Sequence, residues 1–161
     1  MTALLVLERS SLDDTVIFSE NAVTNLEAGA VTLKIKAGDK FSVKDCMYAL
    51  LLKSANEVAN GLAENVAGRV SGFADLMNQK AASLGCTNTH FVNPNGLNDS
   101  NHYTTARDMA LIAKAAFENQ TLSQIASTVS YDFPATASVP TVRKLTMGHK
   151  MVNPANGEYS Q

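Results

Sequence analysis

Lys53-Ser54-Ala55-Asn56-Glu57 joins two apolar helical runs, 43–52 before it and 58–67 after it. The stretch places a hydroxyl and a carboxamide two positions apart at a helix–helix junction. Two rigid elements then set their positions, as a polar catalytic pair requires. A purely local reading competes with this one. Serine at a helix start accepts a hydrogen bond from a free backbone N–H, and a glutamate three positions on reaches back. Ser54 and Glu57 have that spacing, so they are expected to form a capping box. Ser-x-Asn alone is short and weakly specific, and the flanking text has to weigh between cap and catalysis.

On the N-terminal side, Val43, Cys46, Met47, Leu50 and Leu51 recur at helical spacing. Ala49 and Leu52 widen the stripe, which predicts a helix buried on most sides. Ser42, with Asp45 three positions on, is its expected N-cap. Ala37-Gly38-Asp39-Lys40 reads as a turn. Residues 31–36 alternate, with Val31, Leu33 and Ile35 against Thr32, Lys34 and Lys36, which predicts a half-buried strand. Residues 21–30 read as a loop, 15–19 as a short strand and 1–8 as a helix closed by polar residues 9–14.

On the C-terminal side, Val58, Leu62, Ala63 and Val66 mark a helix ended by Gly68. Val70, Phe73, Ala74, Met77, Ala81 and Leu84 mark the next, ended by Gly85. A further helix starts at Thr104 or Thr105 with Asp108 in its first turn. Its core stripe is expected to be Ala106, Met109, Ala110, Ala113, Ala116 and Phe117. A short helix over 122–127 and strands near 129–133 and 139–145 follow. Between the helix ended by Gly85 and the one starting at Thr104 or Thr105 lies an irregular segment, 86–103. Irregular loops beyond about 12–15 residues tend to be functional or locally packed.

The chain has 161 residues, 45% of them hydrophobic and 17% charged, with a formal net charge of −2. That suits one globular domain and gives no basic face for nucleic acid. No run is long enough to span a bilayer. Cys46 and Cys86 form no Cys-x-x-Cys pair and read as two small buried hydrophobes, with pairing in an oxidising compartment as the alternative. His90, His102 and His149 fall in no metal-binding spacing, and no metal or cofactor is expected. His102 is expected as a hydrogen-bonded loop histidine. There is no Gly-x-Ser-x-Gly elbow and no phosphate loop.

Several stretches taken together resemble one family. They are Tyr48-Ala49-Leu50-Leu51-Leu52-Lys53-Ser54-Ala55-Asn56-Glu57, Ala63-Glu64-Asn65-Val66-Ala67-Gly68, residues 73–78, Leu84-Gly85, Thr87-Asn88-Thr89-His90-Phe91-Val92-Asn93-Pro94-Asn95-Gly96-Leu97 and His102-Tyr103-Thr104-Thr105-Ala106-Arg107-Asp108-Met109-Ala110. In this order they are similar to the serine D-alanyl-D-alanine carboxypeptidases, the low-molecular-mass penicillin-binding proteins. Met1-Thr2-Ala3-Leu4-Leu5 resembles the text that follows that family's first motif. The resemblance implies a mixed α/β fold of the penicillin-binding-protein and β-lactamase kind. Here that means mainly its helical part, with a few short strands and an incomplete sheet.

The resemblance also implies acyl transfer. A Ser-x-x-Lys serine attacks the carbonyl between two D-alanines, and a Lys-Thr-Gly strand binds the substrate carboxylate and lines the oxyanion site. Carried over, Ser54 is the proton relay and Asn56 the contact to substrate amide and lysine. Glu57 stays a capping residue, Lys53 faces solvent, and the loop over 90–97 supports the Ser-x-Asn corner. The implied partners are a peptidoglycan stem peptide ending in D-Ala-D-Ala and β-lactam antibiotics, and the implied location is the cell envelope, outside the cytoplasmic membrane.

This sequence departs from the family pattern in one way. No serine has a lysine three positions later, and no lysine precedes Thr-Gly or Ser-Gly. The expectation is therefore that residues 1–161 are the central part of one catalytic domain, with the nucleophile upstream and the Lys-Thr-Gly strand downstream. Such a segment should be inactive alone and should expose apolar surface, giving a homo-oligomer or swapped dimer. Three alternatives stand beside the carboxypeptidase. One is a cross-link D,D-endopeptidase with the same chemistry. Another is a β-lactamase-like hydrolase, although Glu118-Asn119-Gln120-Thr121-Leu122 does not match the deacylating motif. The third is a non-catalytic helical binding module.

Overall fold

Helix α1 (Thr2–Arg9) buries Thr2, Ala3, Leu4, Leu5 and Val6, the apolar run that opens the sequence. The structure is a computed structural model describing residues 1–24 and 26–149. Strand β1 (Thr15–Ile17) follows and pairs antiparallel with β2 (Lys40–Ser42), Val16 opposite Phe41. Between them lies α2 (Glu20–Val23), where a loop was expected. Ser19 starts it by accepting the Ala22 N–H at 3.0 Å.

Helix α3 (Val43–Lys53) begins at the expected place. Ser42 and Asp45 each accept from the other's backbone N–H, the full capping box. Helix α4 (Asn56–Ala67) comes next and ends on Gly68, left-handed at φ 73. Its first eight residues, Asn56 to Ala63, are all buried. The helix thus has no solvent face over two turns, with α1, α2, α3, β1 and α5 (Val70–Ser83) packed around it. Gly61 lies against Phe18, whose ring would stand 2.6 Å from an added Cβ.

Helix α6 (Ala106–Glu118) starts where expected, with Thr105 accepting the Asp108 N–H. Its face is not the expected one. Met109 is 45% and Phe117 59% exposed, and Ala106, Ala110 and Ala113 are exposed with them. Asp108 and Ile112 are the buried residues. The reason lies in Asp108, whose carboxylate is committed to the loop beneath the helix and turns the neighbouring face inward. Helix α7 (Gln120–Ala126) leads to β3 (Ser130–Phe133) and β4 (Arg143–Thr146), a second antiparallel pair with Tyr131 opposite Leu145. Among the described residues the fold is thus mixed, dominated by helices, with two separate two-stranded sheets.

The expected strand over 31–36 does not form. Val31 is 51% exposed, Leu33 half-buried, and Ile35 alone is buried. Lys34 takes a left-handed φ of 55, which no strand accommodates. The backbone of this segment bonds instead to side chains of α4 and β4. A buried backbone needs partners, but those partners need not be a neighbouring strand.

Candidate functional site

Ser54 closes α3. Its N–H donates to the Leu50 carbonyl at 3.0 Å, and its backbone is left-handed, φ 53 and ψ 40. The expected N-cap role is therefore corrected: Ser54 is the C-cap of α3, and the N-cap of α4 is Ala55, which has no capping side chain. Glu57 is corrected with it, because its carboxylate accepts from the Leu33 N–H. The left-handed conformation costs an L-residue about 1–2 kcal/mol. Among the described residues only Ser54 and Lys34 adopt it without being glycine, and both border this corner. Strained backbone of this kind gathers at functional sites.

Released from capping, the Ser54 hydroxyl is exposed and has no hydrogen-bond partner among the described residues. It lies on a cleft of about 350 Å³ lined by Leu51, Leu52, Lys53, Met147, Gly148 and His149. The Gly148 N–H donates to the Leu52 carbonyl at 3.3 Å and lays the chain after β4 beside the end of α3. Lys53 is half-buried in this wall rather than fully in solvent.

Asn56 is buried, 7% exposed. Its backbone N–H and its Nδ2 both donate to the Val31 carbonyl, at 2.9 and 3.0 Å. Its Oδ1 accepts no hydrogen bond among the described residues. The carboxamide is held by its donor end, which leaves its acceptor end unused among the described residues. A free hydroxyl on a cleft can relay a proton, and a fixed acceptor can orient an amide. The two expected site residues are thus fixed by different means, Ser54 through backbone conformation and Asn56 through the segment at 31–35, and only Ser54 lines this cleft.

Sequence reasoning missed that segment's other supports. Glu57 Oε1 accepts from Leu33, and Arg143 Nη1 donates to the Leu33 carbonyl. Glu57 is 1% exposed. Burial pushes its carboxyl above the usual carboxylate range, against the opposing pull of its own, Leu33 and Ile35 backbone N–H groups and of the Arg143 charge. Burial likewise lowers the Arg143 guanidinium, against Asp39 and Glu57. The sequence carried little signal for this: Arg143 and Lys144 stand side by side in the run that forms β4, and nothing there singles out Arg143.

The loop over 86–103 is packed through side chains. Asn78 accepts from the Phe91 N–H and donates to its carbonyl, both at 2.8 Å, as a peptide group would. Asn95 Nδ2 donates to Asn60 Oδ1 at 3.1 Å, and Thr2 Oγ1 donates to the Pro94 carbonyl at 2.7 Å. The loop is therefore fastened to α4 one turn past Asn56, and to α1 and α5. His102 is a hydrogen-bonded loop histidine, its Nδ1 accepting from Val92 and its ring edge-on to Phe91. Cys46 and Cys86 are both free and buried. Among the described residues no three His, Cys, Asp or Glu side chains stand close enough to hold a metal ion.

Comparison with known proteins agrees with the resemblance read from the motifs. Residues 1–153 match the family described as D-alanyl-D-alanine carboxypeptidase. A D-alanyl-D-alanine carboxypeptidase of Bacillus subtilis, DacF, is 32% identical over 133 residues, covering 80% of this chain and 33% of that protein. A D-alanyl-D-alanine endopeptidase of Pseudomonas aeruginosa is 34% identical over 128 residues, covering 80% of this chain and 41% of that protein. The crystal structure of the Streptomyces K15 DD-transpeptidase superposes with a TM-score of 0.83 at 29% identity, over 97% of this chain and 64% of that one. The fold is that of the penicillin-binding transpeptidases, and the chain spans a third to under a half of these two curated relatives.

Proposed function

The chain belongs to the D-alanyl-D-alanine carboxypeptidase family, and from that premise we propose that its Ser54–Asn56 corner serves the hydrolysis of peptidoglycan stem peptides ending in D-Ala-D-Ala. In this reading a serine supplied from outside these 161 residues attacks the penultimate carbonyl. A C–O bond forms and the C–N bond to the terminal D-alanine breaks. Ser54 passes the nucleophile's proton to the leaving amine, and water then releases the acyl group. Asn56 Oδ1 accepts from the substrate amide. β-Lactams acylate the same serine and stay attached. The substrate places the protein in the cell envelope, outside the cytoplasmic membrane.

One observation supports this reading most: an exposed Ser54 hydroxyl on an open cleft, unpartnered among the described residues, two positions before an Asn56 carboxamide anchored by its donor end. An N-cap serine would have its hydroxyl engaged. The test is release of D-alanine from a pentapeptide by the protein that joins these residues to a Ser-x-x-Lys nucleophile. Ser54→Ala and Asn56→Ala should each lower turnover by about 10²-fold or more. Full activity in both variants would remove the catalytic reading. The 161-residue chain, which has no Ser-x-x-Lys, should stay unlabelled by a fluorescent penicillin. A cross-link D,D-endopeptidase is the second reading, favoured by the similarity to the Pseudomonas endopeptidase. Cleavage of a purified cross-linked muropeptide dimer separates the two.

A further inference from the structure

Asn56 is held by one atom, the Val31 carbonyl, and that atom belongs to a segment with no strand to keep it in place. Two residues later the same segment is gripped from both sides. Glu57 Oε1 accepts the Leu33 N–H, and Arg143 Nη1 donates to the Leu33 carbonyl. The two charged groups do not meet as an ion pair; the Leu33 peptide backbone stands between them. Each is buried beyond what this grip needs. Glu57 Oε2 and Arg143 Nε and Nη2 are buried without a hydrogen-bond partner among the described residues. The Arg143 guanidinium is also seated over the Phe133 ring, 5.0 Å from its centroid, and Phe133 is fully buried. Buried, incompletely satisfied charge is costly, and a neutral pair would hold a loop at less expense. The next residue, Lys34, is one of the two left-handed non-glycine residues among those described, and the other is Ser54.

We propose that Glu57 and Arg143 are positioning residues, which clamp the Leu33 backbone and thereby fix the Val31 carbonyl that orients the Asn56 carboxamide. The charges suit the task because each binds the peptide atom it attracts, the carboxylate the N–H of one peptide group and the guanidinium the C=O of the next. Any motion of Leu33 passes through one intervening residue to Val31 and from there to the Asn56 carboxamide. The clamp's effect on catalysis rests on the carboxypeptidase reading; the clamp itself does not.

The experiment therefore has two arms. In the first, the 161-residue chain is labelled with nitrogen-15, and the Asn56 backbone and Nδ2 signals are followed with hydrogen exchange. Glu57→Leu and Arg143→Met should each speed exchange at the Asn56 N–H by at least tenfold, while Leu62 and Met77 in the core keep their protection. Glu57→Gln retains an acceptor oxygen and should restore most of the Asn56 protection. Unchanged Asn56 exchange in Arg143→Met, with the core intact, would overturn the clamp. Should Glu57→Leu fail to fold, Arg143→Met and Glu57→Gln still decide the matter. In the second arm, the protein joined to its nucleophile is assayed per penicillin-titrated active site. A positioning role lowers kcat per titrated site, whereas a merely structural role lowers only the number of sites. Loss of Asn56 protection together with unchanged kcat, in Asn56→Ala as well, would sink the carboxypeptidase reading and leave the clamp standing.

Discussion

The backbone N–H and the side-chain Nδ2 of Asn56 converge on one acceptor, the carbonyl of Val31, at 2.9 and 3.0 Å. Ser54, two positions earlier, makes no such bond. The two site residues should therefore separate in stability measurements. Asn56→Ala should destabilise the chain by about 1–2 kcal/mol, since it removes a buried side-chain hydrogen bond. Ser54→Ala should change stability by no more than about 0.5 kcal/mol, as exposed substitutions do. Urea unfolding of the two variants checks this. Equal losses would mean that the Ser54 hydroxyl is engaged in solution.

Gly61→Ala has its sign decided by packing. In a free helix interior, alanine would be better than glycine by about 1 kcal/mol. Here the new methyl would stand 2.6 and 2.9 Å from two atoms of the Phe18 ring, which is itself locked edge-on against Phe41. The ring has no room to yield, so a loss of about 1–3 kcal/mol is expected. Thermal unfolding reads the sign directly, and a raised midpoint would show that the ring can move.

Tyr131 ties β3 to the start of α3. Its hydroxyl donates to Asp45 Oδ1 at 2.6 Å, and its ring stacks on Tyr48 at 3.9 Å. Burial, and then the Asp45 carboxylate, push the phenol well above its ordinary pKa. Tyr131→Phe should keep the stack and lose the charge-assisted bond, costing about 1.5–3 kcal/mol. Denaturant titration measures the loss.

Asp108 gives a pH signature. Burial alone would raise its carboxyl, but the Asn88 N–H, the Thr89 hydroxyl, the Arg107 charge and the Thr105 contact together outweigh it and hold the pKa below its ordinary value. A depressed folded-state pKa contributes stability that is present above the unfolded value, about 3.9, and is lost as pH falls through the folded one. Asp108→Asn should therefore lower the unfolding midpoint at pH 7. The gap from the unsubstituted chain should close as the acid limb is reached. A gap that is constant down to about pH 2 would contradict the assignment.

The helices were legible where local chemistry marks them. Ser42 with Asp45 and Thr105 with Asp108 announce helix starts, and Gly68 announces an end, because each satisfies end groups that only a few residue types can satisfy. The Ser-x-Asn corner was legible as a place but not as a geometry. Serine at a left-handed C-cap carries no compositional flag, since glycine and asparagine are the usual residues there. Residues 31–36 alternate as a strand does, yet periodicity reports faces and not partners, and the partners here are Asn56, Glu57 and Arg143 from distant positions. The face of α6 was misjudged because a buried carboxylate, Asp108, counts as polar in any apolar pattern while Ile112, one turn on, turns inward with it.

Cys46 is completely buried and Cys86 is 7% exposed, with both thiols pushed up by burial. Thiolate is the reactive form, so burial and the raised thiol pKa both disfavour oxidation or alkylation of either sulfur while the chain stays folded. The pair also serves as an internal clock: the speed at which a thiol reagent reaches Cys46 counts how often the helix beneath the Ser-x-Asn corner comes undone.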